Sequence, residues 1–262
     1  MLIAQITDMH VRPSGRIAYG LVDTNAMLAA AVAAIESLPR KPDLVIATGD
    51  LTDCGLAEEY AELRRLLEPL SMPVYLVPGN HDAYVGSSPA EIQKHWSRWM
   101  TTDSGRFEGF PYIRLMGPIA LVGLNSGVPT SPFMATGWMG EKQRADFQRV
   151  MVFLKNQGLA RVVMIHHPPY QGGATFGRTL TDAARFEKII SDTGAELILH
   201  GHNHVASIAH IRGPDGRVPV IGAPSASAAR GSASHRAGYH IFDFDRTETG
   251  IKITGQTRGL LE

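Results

Sequence analysis

The chain has 262 residues, of which 44% are hydrophobic and 19% charged, a composition that packs a globular core and excludes a mainly disordered or fibrous chain. Lys+Arg and Asp+Glu both total 25, so the zero net charge argues against a general electrostatic grip on a nucleic-acid polymer or an anionic membrane. The single cysteine, Cys54, cannot form an intrachain disulfide, which predicts a reducing, cytoplasmic setting. Residues 1–8 lack a basic stretch followed by an apolar run, so no signal peptide is expected, and the apolar run 26–35 is too short to span a bilayer.

In chain order, apolar runs at 2–7, 44–48, 74–77, 119–124, 162–165 and 197–199 read as buried strands, each short and bounded by Gly, Pro, Asp or Asn. Helical patterns alternate with them at 24–38, with Thr24 as cap and Pro39 as stop, and at 56–67, 89–100, 141–154 and 181–193. This alternation predicts an α/β fold. After Gly201 the texture changes. Strands at 205–211, 218–221 and 239–244 follow without helices between them, which predicts a second, more antiparallel sheet packed on the first. No repeat or linker divides the chain, so residues 1–262 read as one domain. Irregular stretches at 83–111 and 126–140 are candidate excursions walling a pocket. They carry Tyr84, Trp96, Trp99, Phe133 and Trp138, although Trp96 and Trp99 suit helix packing equally well.

The eleven histidines concentrate just beyond strand ends. Asp8-Met9-His10 follows the first strand, Gly49-Asp50 the second, and Gly79-Asn80-His81-Asp82 the third. His166-His167-Pro168-Pro169 and Gly201-His202-Asn203-His204 follow later ones. In an α/β sheet, groups beyond the carboxyl ends of strands converge on one crevice. Residues two apart on extended chain point the same way, so Asp8 and His10 can share an ion. Imidazole and carboxylate without thiolate suit Zn, Fe, Mn or Co, and the inventory is sized for two ions clamping a phosphoryl centre. His167 reads as a supporting residue and His200 as a hydrogen-bonding strand end. His95, His210, His235 and His240 match no constellation, and Cys54 reads as a small buried hydrophobe.

Taken together, these five motifs, which occupy residues 8–204, resemble those of the calcineurin-like metallophosphoesterases. Tyr19-Gly20, Cys54-Gly55 and Glu58-Glu59-Tyr60 are most similar to the bacterial glycerophosphodiesterases and class III cyclic-nucleotide phosphodiesterases. The resemblance implies a two-sheet β-sandwich flanked by helices and a centre of two divalent or mixed-valence ions. Asp8, His10 and His204 would hold the first ion, Asp50 would bridge, and Asn80, His166 and His202 would complete the second. His81, facing the phosphate together with Asn80, would act as the catalytic imidazole, with Asp82 orienting it. A metal-bridging hydroxide would then attack phosphorus in line, hydrolysing small phosphodiesters such as glycerophosphodiesters or 3′,5′-cyclic nucleotides. The rival readings are a phosphomonoesterase or protein phosphatase with the same centre, and a non-catalytic scaffold of the same fold. The resemblance also implies a homo-oligomer, at least a dimer.

Overall fold

The computed structural model describes all residues except 19, 85–87, 132, 229–235, 249 and 260–262, and omits the side chains of 88 and 89. The expectations for Tyr19 and His235 therefore lie outside the described residues. Two mixed sheets face each other. The first has the order β11–β10–β1–β2–β3, built from β1 (Leu2–Ile6), β2 (Leu44–Thr48), β3 (Val74–Val77), β10 (Gly238–Thr247) and β11 (Gly250–Gly259). The second has the order β4–β5–β6–β7–β9–β8. It comprises β4 (Tyr112–Met116), β5 (Ile119–Gly123), β6 (Ala160–Met164), β7 (Leu197–His200), β8 (Ser207–Gly213) and β9 (Gly216–Gly222). Within them β1–β2–β3 and β5–β6–β7–β9 run parallel, and the edge pairs β10–β11, β4–β5 and β8–β9 are antiparallel.

Alternation along the central strands builds the layers. Leu121, Val162, Met164, Leu197 and Leu199 join the core shared with the first sheet, and that core continues to α1 (Thr24–Glu36) and α2 (Ala57–Leu67). Their neighbours Ala120, Val122, Val163 and Ile198 instead pack with Phe147 and Met151 of α4 (Glu141–Asn156) and Phe186 and Ile190 of α5 (Ala183–Thr193). A period of two thus gives each strand one face for each core, the arrangement expected of a sheet buried on both sides. The two sheets are also tied by polar bonds. Tyr112 Oη donates to the Leu76 carbonyl at 2.9 Å, and Gln5 Nε2 donates to the His200 carbonyl at 3.1 Å.

The strands after Gly201 do not form a sheet of their own: β8 and β9 extend the second sheet, while β10 returns antiparallel to β1 and extends the first. β4 and β11 go beyond the sequence-based reading. Both are edge strands with mixed exposure, so neither carries an uninterrupted apolar run. The 24–38 helix ends at Glu36, and its N-cap is Asp23, whose side chain accepts from Ala26 N at 2.9 Å. The Thr24 hydroxyl reaches the His10 carbonyl at 2.8 Å instead. The 89–100 segment becomes α3 (Ser88–Trp96) followed by a 3₁₀ turn at Ser97–Trp99. Trp96 and Trp99 are buried in the core, and neither lines the cleft at the strand ends.

Candidate metal centre

The site lies where the carboxyl ends of β1, β2 and β3 meet those of β6 and β7. Close approach there depends on Gly201: a Cβ at this position would stand 2.1 Å from Thr7 Oγ1 and 2.4 Å from Asp8 Oδ2. Only a residue without a side chain lets the end of β7 touch the end of β1. The backbone beyond the strands is strained in a consistent way. Asp8, His10, Asp50, His202 and His204 all have positive φ, between 46° and 71°. Each costs on the order of 1–2 kcal/mol for a side-chain-bearing residue. Strain of this kind persists where surrounding structure enforces it, and it gathers at functional sites. It also revises the local geometry of Asp8 and His10, which converge through left-handed turns, not along extended chain, with Met9 between them buried in the core.

Two groups of donors result. In the first, His10 Nε2 lies 3.3 Å from His204 Nε2, which lies 3.2 Å from Asp8 Oδ1. In the second, His166 Nε2 lies 3.2 Å from each of Asp50 Oδ2, Asn80 Oδ1 and His202 Nδ1. Asp50 lies between the groups, since ligand atoms of Asp8, Asp50 and His166 are all within 4.8 Å of one another. Asn80 is oriented by donating from Nδ2 to Tyr84 Oη at 3.1 Å, which leaves its Oδ1 for the cluster.

The donor chemistry fits cations. Nδ1 of His166 is 2.8 Å from the Thr48 carbonyl, so it carries the proton and leaves Nε2 as a lone pair facing other acceptors. Such a meeting of lone pairs is repulsive unless a positive charge sits at its centre. Without an ion the protein supplies a proton: burial opposes charging His166, but Asp50 outweighs it and pushes the imidazole up to about 9. Burial likewise opposes the ionised form of Asp50, yet the His166 and His81 imidazoles hold it well below the usual carboxylate range. The same contest lowers Asp8 through His204 and raises His204 through Asp8. His202 is driven the other way, first by burial and then by His167 and His166, and its buried Nε2 has no hydrogen-bond partner. A neutral imidazole whose Nδ1 faces the cluster beside ionised carboxylates is a ready metal donor.

His81 sits at the rim. Its backbone N–H donates to Asp50 Oδ1 at 2.8 Å, and its Nε2 is 4.0 Å from Asp50 Oδ2. Asp82 departs from the expected pairing with His81. Its buried carboxylate accepts from Leu51 N, Thr52 N, Thr52 Oγ1 and Gly79 N at 2.8–3.2 Å, fastening the loop after β2 to the loop after β3. Burial, and then the charge of Asp50, raise this carboxyl to about 6. The neighbour of His81 Nδ1 is instead Asp53, through its carbonyl at 2.6 Å. His167 packs its ring 4.4 Å from that of His202, with Nδ1 on Ser126 Oγ at 2.8 Å and Nε2 on the Ala135 carbonyl at 3.2 Å. Burial and the neighbouring His166 push it down to about 3, so it is neutral. His200 is buried with Nδ1 2.9 Å from the Gly201 carbonyl. Cys54 is half-buried and takes a 2.8 Å contact from Arg12 Nη1, a more polar setting than a small hydrophobe's.

A cleft of about 610 Å³ opens above the cluster. His10, Asp50, Asn80, His81, His202 and His204 form its floor, and Tyr84, Thr130, Ser131, Phe133, Met134 and Arg178 its walls. Among the described residues of 83–111 only Tyr84 belongs to this lining, whereas 126–140 supplies several residues. Arg178 and Asp53 were not singled out from sequence. The available signals are the glycine-containing run 171–178 after the His-His-Pro-Pro motif, and a second aspartate three residues after Asp50.

A family model described as calcineurin-like phosphoesterase matches residues 1–206. This chain belongs to that family. Calcineurin-like phosphoesterases use a dinuclear metal site, and the His/Asp cluster supplies candidate ligands for one. A dimetal phosphatase from Danio rerio shares the fold, with a TM-score of 0.74 at 15% identity over 100% of this chain and 97% of that one. Among curated relatives, a probable glycerophosphodiester phosphodiesterase of Arcobacter nitrofigilis is 32% identical over 66% of this chain. A 3′,5′-cyclic-nucleotide phosphodiesterase of Nostoc is 27% identical over 77% of this chain and 71% of its own length. The match spans 59% of the Arcobacter protein, and only 30% of the glycerophosphodiester phosphodiesterase of Enterobacter lignolyticus, to which it is 43% identical over 31% of this chain. No helix among the described residues is long and apolar enough to cross a membrane.

Proposed function

We propose that this calcineurin-like phosphoesterase is a dinuclear-metal phosphodiesterase acting on small phosphodiesters, glycerophosphodiesters or 3′,5′-cyclic nucleotides. The observation that carries the reading is the Asp8/His10/His204 group and the Asn80/His166/His202 group on either side of Asp50, beneath one cleft. Asp8, His10 and His204 would hold one ion, Asn80, His166 and His202 the other, with Asp50 placed to reach both. Imidazole and oxygen donors without a thiolate favour Fe, Mn, Zn or Co. When bound, two such ions would supply a nucleophile at neutral pH and neutralise charge on the phosphoryl oxygens.

The chain's own groups do the remainder. Asp50 takes the His81 backbone N–H on one carboxylate oxygen, which fixes the orientation of the other toward the cluster. His81 presents Nε2 to the cleft, and with Nδ1–H held on the Asp53 carbonyl it donates from Nε2 to a non-bridging oxygen, or protonates the departing alkoxide, in its imidazolium form. Tyr84 and Phe133 offer apolar faces for the second ester arm. Among the described residues lining the cleft, Arg178 is the one Lys or Arg, which suits a singly charged diester better than a dianionic monoester. Residues 1–262 act as one domain, with 126–140 and Tyr84 walling the pocket. Zero net charge and the lone Cys54 support a cytoplasmic enzyme acting on small molecules.

Metal analysis of purified wild type and Asp50→Ala tests this reading. The wild type should carry two ions per chain and the variant at most one, with far-UV circular dichroism unchanged. A metal-free wild type, or a variant that keeps both ions, contradicts it.

A further inference from the structure

One wall residue of the cleft is placed unfavourably on two counts. Phe133 has a φ of 67°, in the left-handed region that a bulky side chain enters only under strain. It is also 106% exposed, so the ring gains nothing from burial in return. The surrounding chain holds it there. Met134 N donates to the Ser131 carbonyl at 3.0 Å, Thr130 Oγ1 to the Met134 carbonyl at 2.6 Å, and Ala135 N to the Gly177 carbonyl at 2.8 Å. The last bond ties this turn to the stretch 171–178, which is fastened in turn to the chain after β7. Asn203 Nδ2 donates to the Gly173 carbonyl at 2.8 Å, and Arg178 Nη2 to the His202 carbonyl at 2.9 Å. There is little slack between the two loops, since a Cβ on Gly177 would stand 3.4 Å from Met134 Sδ. Phe176, 97% exposed, lies on the second loop two residues before Arg178. Among the described residues, Phe133 and Phe176 are the most exposed of the large apolar side chains.

We propose that Phe133 is a specificity-determining residue that seats a hydrocarbon arm of the substrate, an alkyl or aryl group of several carbons, with Phe176 extending that surface outward. The inference rests on the phosphodiesterase reading, which puts the phosphoryl group on the cluster, and adds what the second ester arm is made of. Phe133 and Met134 share the cleft with His10, Asp50 and His81, so an arm extending from the phosphoryl centre meets them. The turn has few polar groups to spare: the N–H groups of Met134 and Ala135, the Met134 carbonyl and the Thr130 hydroxyl are already bonded within the protein. A polyol arm there would trade water for carbon, whereas a hydrocarbon arm gains by leaving water. The strain at Phe133 fits the same purpose, since enforced, unfavourable backbone gathers where ligands are clamped.

The test is a series of p-nitrophenyl alkyl phosphates, methyl to hexyl, all kept below micelle-forming concentrations and all releasing the same p-nitrophenolate. Full burial of one methylene corresponds to roughly fourfold, so an arm lying along an open wall should raise kcat/KM by about twofold or more per methylene, through KM. Phe133→Ala should cut the hexyl-to-methyl ratio by about tenfold, Phe133→Leu, which keeps an apolar side chain, by less, and Phe176→Ala should lower it for the longest arms only. Phe153→Ala, which removes an exposed phenylalanine of α4 away from the cleft, should leave the ratio at its wild-type value. Calorimetric titration with methyl hexyl phosphate and with dimethyl phosphate repeats the comparison as binding, without an activated leaving group. A wild type that hydrolyses none of the esters refutes the phosphodiesterase reading, and the two titrations still decide whether the hydrocarbon arm has a seat. Turnover with a flat series, equal binding of the two dialkyl phosphates, or a steep series unchanged in Phe133→Ala overturns the inference.

Discussion

Replacing Gly79 with alanine should damage the site from beneath without altering any ligand. Gly79 precedes Asn80 at the end of β3, and its φ lies outside the left-handed region, so the backbone itself accepts alanine. The obstacle is space. A Cβ there would stand 2.3 Å from Asp50 Oδ1, 2.4 Å from Asp50 N and 2.9 Å from His166 Cδ2. Reaching even the 3.0 Å limit of real contacts means opening the nearest by about 0.7 Å. Asp50 N belongs to the backbone and cannot rotate away, so the loops after β2 and β3 must part. Overpacking of this type costs about 1–3 kcal/mol, which for a chain of this size lowers Tm by roughly 2–12 °C. The same shift displaces the carboxylate between the two donor groups. Misplacement approaching 1 Å costs about 10²-fold in turnover. The assay is differential scanning calorimetry, metal content and kcat/KM on bis(p-nitrophenyl) phosphate. Gly259→Ala, where a Cβ meets nothing within 4 Å, is the neutral control. If Gly79→Ala keeps two ions and activity within about threefold of wild type, the account of Asp50's placement is wrong.

His81→Ala should retain both ions yet lose about 10²–10⁴ in kcat, as for a positioned acid or base, and less with p-nitrophenyl than with alkyl leaving groups; metal loss in step with activity would make His81 a ligand. Away from the cleft, His240 is buried, with Nε2 on the Gly222 carbonyl and Nδ1 on Thr257 Oγ1, both at 3.0 Å. Burial lowers its pKa from the ordinary value near 6.5, so the unfolded chain binds this proton more readily. Its contribution to stability is therefore full above pH 6.5 and is lost as pH falls through the folded-state value, with a slope of at most about 1.4 kcal/mol per pH unit. Urea unfolding across pH 4.5–7.5 should find a flatter acid limb in His240→Gln; parallel curves for the two proteins contradict the assignment.

The sequence makes much of the donor set legible because strand ends write it in order. Asp8, Asp50, Asn80, His166 and His202 each follow a recognisable apolar run, and parallel strands of two facing sheets bring those ends to one rim. Asp82 is hidden for a geometric reason. Next to His81 in sequence, it lies on a 3₁₀ turn, where successive side chains diverge by about 120°, so it points into the floor while His81 faces the cleft. Asp53 is obscured because its shortest contact with His81 is made through a backbone carbonyl, which any residue type possesses. The edge strands β4 and β11 escape for lack of a buried run, and the tryptophans of 83–111 are ambiguous because a helix face and a pocket wall are apolar alike.

The central claim is diester hydrolysis at a two-ion site whose walls accept a second ester arm. It is tested most directly by kcat/KM of the metal-replete protein on bis(p-nitrophenyl) phosphate against p-nitrophenyl phosphate. Among the described residues, one Lys or Arg and several apolar side chains line the cleft, so the diester should be preferred by at least about tenfold, roughly 1.4 kcal/mol of transition-state stabilisation. A preference for the monoester would contradict the account and identify the chain as a phosphomonoesterase.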